Sequence, residues 1–126
     1  PMNFLQGTLA DGGARFQAGA FAFPVPPRLR AATAPIAGRK AIAGVRPENV
    51  LPEGRAARGE AAPVEAAVEI VETLGDEIVV HARAGEDVIV FKEDPHRAPE
   101  IGAKVAVSLD LAALHLFDAA TERRIQ

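Results

Sequence analysis

Val64-Glu65-Ala66-Ala67-Val68-Glu69-Ile70-Val71-Glu72-Thr73-Leu74 decides how this chain folds, because it satisfies two incompatible periodicities. Val64, Ala67, Val68, Val71 and Leu74 form a helical stripe, whereas Val64, Ala66, Val68 and Ile70 form the alternating face of a strand. The neighbours tip the balance. Gly75 ends the run, and the next two segments, Ile78 to Ala82 and Val88 to Phe91, are rich in β-branched residues and flank a turn at Ala84-Gly85-Glu86. Residues 64–74 therefore read as strand.

Downstream, Lys104 to Leu109 and Leu114 to Phe117 continue the pattern, with turns at Gly102 and Asp110 and a closing Asp118-Ala119-Ala120-Thr121. Upstream, Asn3 to Ala10, Asp11-Gly12-Gly13 and Ala14 to Gln17 carry a hairpin signature with Phe16 on one face. Phe21, Phe23 and Val25 share the parity of an inward strand face, and Pro24, Pro26 and Pro27 put that strand at an edge or end it. Pro27 to Ala34 has room for one or two helical turns before Pro35, and Ala41 to Val45 is a short strand broken by Pro47. Residues 52–63 contain no large apolar side chain and read as an exposed, mobile connection between a first β segment (1–51) and a second (64–126). This gives roughly eight to ten short strands and at most one short helix, an all-β domain of barrel or sandwich type.

At 126 residues the chain is one domain's worth. Hydrophobic residues make up 48%, but aromatics only 5%, all Phe, so the core must be largely aliphatic. A net charge of −3 lacks the basic footprint that nucleic acid requires. The charge is uneven: residues 1–63 hold eight basic and four acidic side chains, residues 64–126 six and thirteen. That acidic half could face a basic partner or simply be solvated. There is no cysteine and hence no disulfide or thiol chemistry, which fits a reducing compartment. No apolar run reaches the length of a membrane helix. The opening Pro1-Met2 is not an initiation order, so a longer polypeptide is expected upstream.

The catalytic inventory is thin. The one serine, Ser108, lies in an alternating strand with no Gly-x-Ser-x-Gly elbow. His81, His96 and His115 are isolated from one another, and Glu93-Asp94-Pro95-His96 reads as a turn before it reads as a metal site. None of Lys40, Lys92 and Lys104 sits in a P-loop register, and Gly12-Gly13 lacks a dinucleotide fingerprint. Glu69, Glu72 and Glu77 read as surface charge, with no pocket to make them an acid/base pair. The segment is not expected to be an enzyme.

Four blocks, taken in order, carry a resemblance: Pro1-Met2-Asn3-Phe4-Leu5; Gly44-Val45-Arg46-Pro47-Glu48-Asn49-Val50-Leu51-Pro52; Val68-Glu69-Ile70-Val71-Glu72-Thr73-Leu74-Gly75-Asp76-Glu77; and Leu114-His115-Leu116-Phe117-Asp118-Ala119-Ala120-Thr121. Together they resemble the carboxy-terminal regulatory region of ABC-importer ATPase subunits of the maltose and glycerol-phosphate type. The resemblance implies an OB-like barrel with a TOBE segment, downstream of an ATPase domain. The Walker, signature and switch-histidine motifs are absent from these residues, so ATP and Mg belong to the parent's ATPase domain and this segment is expected to hold no cofactor. It further implies a homodimer through this region, importer membrane subunits reached through the ATPase domain, a possible regulatory protein, and a cytoplasmic place at the inner face of the membrane. Arg46, Glu48, Glu72, Leu74, Gly75 and Glu77 are the candidate regulatory or interface residues. An alternative is a small-ligand sensor of the molybdate-binding type, for which one serine and four threonines are a poor supply of donors. A swinging-arm carrier would need a modifiable lysine in a hairpin, and Lys92 lacks a flanking methionine.

The Gly-x-Arg-Pro-Glu block also carries an expectation of its own. Pro47 removes a backbone donor and biases Arg46 to extended geometry, which ends the ladder there. A hairpin at Leu74-Gly75-Asp76 would bring Glu72 and Glu77 together, and two carboxylates call for a cation. Arg46 is the expected bridge to Glu72 or Glu77, with independent surface charges as the alternative.

Overall fold

The computed structural model describes residues 1–126. Eleven strands and one short helix follow in the order β1 (Asn3–Ala10), β2 (Arg15–Gln17), β3 (Ala22–Pro24), α1 (Pro27–Thr33), β4 (Lys40–Val45), β5 (Val50–Pro52), β6 (Ala61–Leu74), β7 (Glu77–Ala84), β8 (Asp87–Glu93), β9 (Lys104–Asp110), β10 (His115–Asp118) and β11 (Arg124–Ile125). The strand count is one above the expected range, and the two strands not read from the sequence are Val50–Pro52 and Arg124–Ile125. Five 3-10 turns link the strands.

Two antiparallel sheets result, ordered β11-β10-β4-β1-β2-β3 and β5-β9-β6-β7-β8. The edge strands β5 and β8 of the second sheet lie against each other, so it curls toward a barrel. The proline-rich β3 is an edge strand of the first sheet, where a missing N–H costs least. Segments adjacent in sequence do not stay together: β5 joins the second sheet, while β10 and β11 return to the first. Halves defined by the central connection are therefore not halves in space. That connection is also shorter than residues 52–63. Pro52 and Ala62 are both buried, β5 runs through Pro52, and β6 begins at Ala61, leaving residues 53–60 between them.

The ambiguous stretch is strand, and the register explains the ambiguity. Val68 lies opposite Ala82, but Ile70 lies opposite His81, so Glu69 is an extra residue in a β-bulge. Before the bulge Val64, Ala66 and Val68 are buried; after it the parity switches, Val71 faces buried Val80, and Ile70 is 50% exposed. Ile70 was expected on the inward face and points outward instead. One inserted residue converts a spacing of two into a spacing of three, which is how a strand mimics a helical stripe.

The core is a single cluster of 28 buried apolar residues contributed by both sheets, aliphatic except for Phe16, Phe21, Phe23 and Phe91. Phe16 and Phe23 stack with centroids 4.9 Å apart, and the Phe16 ring lies across Gly7. A Cβ at Gly7 would stand 2.5 Å from Cζ of Phe16 and 2.8 Å from the carbonyl oxygen of Gln17. Gly7→Ala is expected to lose about 1–3 kcal/mol through overpacking, while Gly19→Ala, with nothing within 4 Å of the new carbon, stays within about 0.5 kcal/mol of the parent. Urea unfolding of the two variants checks this contrast.

Candidate functional site

The hairpin joining β6 to β7 carries four of the six candidate residues. Leu74 pairs with Glu77 across a two-residue loop, and Gly75, at the first loop position, has φ 62°, the left-handed backbone that primed hairpin turns require. Because of the bulge, Ile70, Glu72 and Leu74 share the outward face with Glu77, Val79 and His81. Leu74 is 54% exposed at the tip.

Two adjoining depressions meet at Pro47 and Lys92. One, of about 360 Å³, runs along Met2, Pro47, Glu72, Leu74, Val79 and Lys92. The other, of about 300 Å³, is lined by Glu48, Arg55, Glu77, Lys92, Glu93 and Asp94 among others. The structure thus gathers Glu48, Glu72, Leu74 and Glu77 around one proline. Gly75 shapes the loop and lines neither depression, and Arg46 lines neither as well.

The expected Arg46 bridge is not formed. Glu72 Oε1 is 2.6 Å from His81 Nε2, and Glu77 pairs with Lys92 at 3.5 Å, so partners nearer in register satisfy both carboxylates. Arg46 does adopt the extended backbone expected before proline, with φ −73° and ψ 151°. β4 ends at Val45 and Pro47–Asn49 is a 3-10 turn, so the proline ends the ladder as expected. Glu93-Asp94-Pro95-His96 folds as a capped turn. Asp94 accepts from the His96 N–H at 2.8 Å, and Glu93 accepts from the Asp94 N–H at 2.8 Å. Lys92 sits within β8 rather than at a hairpin tip. Ser108 lies in β9 opposite Leu51 and Pro63.

Sequence reasoning did not foresee two further features. Asn3, buried in β1, donates its Nδ2 to the Val90 carbonyl at 2.9 Å and accepts the Val90 N–H at 2.8 Å. Phe4 and Phe117 form an edge-to-face pair, centroids 6.1 Å apart, on the outer side of the first sheet. Neither pairing has a local signature, since each joins residues far apart in sequence. What the hairpin surface offers is an apolar tip, a shallow trough and nearby carboxylates. Because Glu72 is solvent-exposed, its partner His81 is only partly buried, and Arg46 makes no bridge to the hairpin, Glu72→Gln should cost under about 1 kcal/mol and Arg46→Ala under about 0.5 kcal/mol. Thermal melts read both, and a loss of several kcal/mol for Arg46→Ala would restore the buried bridge.

Comparison with known proteins gives two family matches in tandem. Residues 1–50 match the MalK OB fold domain and residues 43–117 match the TOBE domain. The sn-glycerol-3-phosphate import ATP-binding protein of Bordetella pertussis is 33% identical, over 100% of this chain and 34% of its own length. Its counterpart in Chromobacterium violaceum is 39% identical over 78% of this chain and 25% of its own length. The sulfoquinovosyl glycerol transport ATP-binding protein of Agrobacterium fabrum is 34% identical over 70% of this chain and 24% of its own length. This chain thus spans about a third of the length of the first of these relatives. A solved structure of the cytoplasmic molybdate-binding protein ModG has the same fold, with TM-score 0.63 at 15% identity over 90% of this chain and 94% of that one. The bulged β6–β7 hairpin, the Arg46-Pro47-Glu48 turn and the returning β10 as far as Phe117 lie within the TOBE match, and this chain belongs to the TOBE domain family, with a MalK-type OB fold matched over its first 50 residues.

Proposed function

We propose that this chain is the regulatory and dimerisation domain of the ATP-binding subunit of an ABC importer for a carbohydrate or related solute. The observation that carries the reading is the tandem family match, in order along the chain, together with relatives that are import ATP-binding proteins about three times as long. In this reading ATP and Mg are handled by an ATPase domain upstream, the membrane subunits are reached through that domain, and this domain works without a cofactor. The assembly works at the cytoplasmic face of the membrane.

The physical role is mechanical coupling. Two such domains held together keep their ATPase domains at high effective concentration while those open and close, so reassociation needs no diffusion. A regulatory protein or solute acts only by binding one of the two arrangements better than the other. The outward hairpin supplies the contact residues, with Leu74 as the apolar anchor, Glu48, Glu72 and Glu77 as the polar rim, Gly75 setting the loop and Arg46 flanking the turn.

A second reading, an oxyanion sensor, is supported by the fold shared with ModG. Calorimetry with molybdate separates the two, because heats at micromolar ligand would favour the sensor. Sedimentation velocity over a concentration series tests the leading reading. The expected result is a reversible dimer that Leu74→Glu weakens at least tenfold, since a carboxylate is placed in a desolvated contact. A monomer at every concentration overturns dimerisation through this domain.

A further inference from the structure

β6 is longer than its neighbours can cover. Ala61 to Ala67 pair with β9 on one side, and Ala67 to Leu74 pair with β7 on the other. Past Ala67, Val68 alone is covered on the β9 side: its N–H donates to the Ala103 carbonyl at 2.9 Å, and its carbonyl accepts the Gly102 N–H at 2.8 Å. Beyond the bulge that edge is bare. Leu74 and Glu77 close a two-residue loop and so exchange hydrogen bonds. By alternation Glu72 and Ile70 also direct their backbone groups at β7, which leaves the N–H and C=O of Val71 and Thr73 directed away from it. No turn or loop bond takes up these four groups, and the side-chain bonds in this stretch, from His81 to Glu72 and from Arg83 to Glu69, end on carboxylates.

An open edge is a template for another strand, and soluble proteins blunt such edges with lysine, proline or short strands. From Val64 to Asp76 there is neither lysine nor proline. Ile70, Val71 and Thr73 are β-branched and favour extended backbone, and Ile70, Thr73 and Leu74 are exposed. The bulge does not shield the edge, because Glu69 lies where the bare stretch starts.

Charge decides what fits there. From Gly59 to Ala82 the chain has Glu60, Glu65, Glu69, Glu72, Asp76 and Glu77, and no lysine or arginine. A second copy laid antiparallel along Ile70 to Leu74 would set its Glu72 directly against Glu72, and like charges directly opposite are destabilising. A strand with a cation at that position meets the opposite condition. The partner of Glu72 within the chain is the imidazole of His81, not a fixed cation, so the carboxylate is open to an incoming ammonium or guanidinium group.

We propose that the β6 edge from Ile70 to Leu74 is a strand-addition site for an extended basic segment of a partner protein. The added strand runs antiparallel, exchanges backbone hydrogen bonds with Val71 and Thr73, and sets Lys or Arg against Glu72 with apolar side chains against Ile70 and Leu74. Main-chain bonds supply the affinity, and the alternate side chains choose the partner. The site uses the edge of the hairpin rather than the outward face assigned to dimer contact, and it stands without the importer reading.

The test is an NMR titration of the nitrogen-labelled 126-residue chain with the acetylated, amidated peptide Ser-Val-Thr-Arg-Thr-Val-Ser. One comparison peptide carries Glu in place of Arg, and another is N-methylated at both Thr residues, which would face Val71 and Thr73. The expected result is saturable shifts centred on the Val71 and Thr73 amides, slower hydrogen exchange of both, and roughly tenfold weaker binding of each comparison peptide. Thr73→Pro, which removes one outward donor and no bond to β7, should weaken the basic peptide by roughly tenfold while the amides of the first sheet keep their positions. Glu72→Lys should reverse the preference between the Arg and Glu peptides. Absence of saturable shifts, equal binding of the N-methylated peptide, or an unchanged preference in Glu72→Lys overturns the proposal. Protection of the Val71 and Thr73 amides that grows with protein concentration without peptide also overturns it, in favour of a second copy.

Discussion

The carboxamide of Asn3 both donates to and accepts from the backbone of Val90, and that reciprocal pair is where the first sheet is tied to the second. The geometry that demands it is the shortness of β2, which pairs with β1 only from Thr8 to Ala10. Along Asn3 to Gly7 that edge of β1 has no ladder partner within its own sheet, and β8 lies against it. A second tie follows: the Gln6 N–H donates to the Asp87 carboxylate at 3.2 Å, just before β8 turns inward. A buried backbone group left unsatisfied costs about 1–3 kcal/mol, so one asparagine stabilises two groups that would otherwise be orphaned at the seam. The shared aliphatic core then fills the space between the sheets.

From that seam the rest of the topology follows. With β1 serving both sheets, β4 can pair with β1 on one side and accept β10 on the other, which is why the chain's last strands return to the first sheet. Gly44, near the end of β4, leaves room for the Met2 side chain that lies over it, and a Cβ there would also press on Phe117. The β6–β7 hairpin is left projecting, with Leu74 uncovered and its carboxylates matched by His81 and Lys92. The surface argued for above is therefore an apolar, carboxylate-rimmed hairpin on the second sheet.

The strands, hairpins, proline-ended edge and single short helix were legible in the sequence because each has a local cause: parity, β-branching, glycine at a positive φ, or proline. The bulge at Glu69 was not. It preserves apolar composition while shifting parity by one, so the same residues fit a helix stripe and a strand face, and only the pairing with β7 reveals which side chains turn outward. The hairpin that groups Glu72, Leu74, Gly75 and Glu77 was legible because those residues are adjacent in sequence. The place of Arg46 was not, since a 3-10 turn follows it at Pro47 and His81 of β7 and Lys92 of β8 pair with the carboxylates instead.

The central claim is that the two sheets form one cooperative unit closed along β1 and β8. Native-state hydrogen exchange tests it most directly, by comparing the Val90 amide at the seam with the amides of Leu116 in the first sheet and Val80 in the second. The account predicts that all three exchange through the same global opening, with free energies agreeing within about 1 kcal/mol. A first sheet that opens several kcal/mol more easily than the second would contradict it and make the sheets independent units.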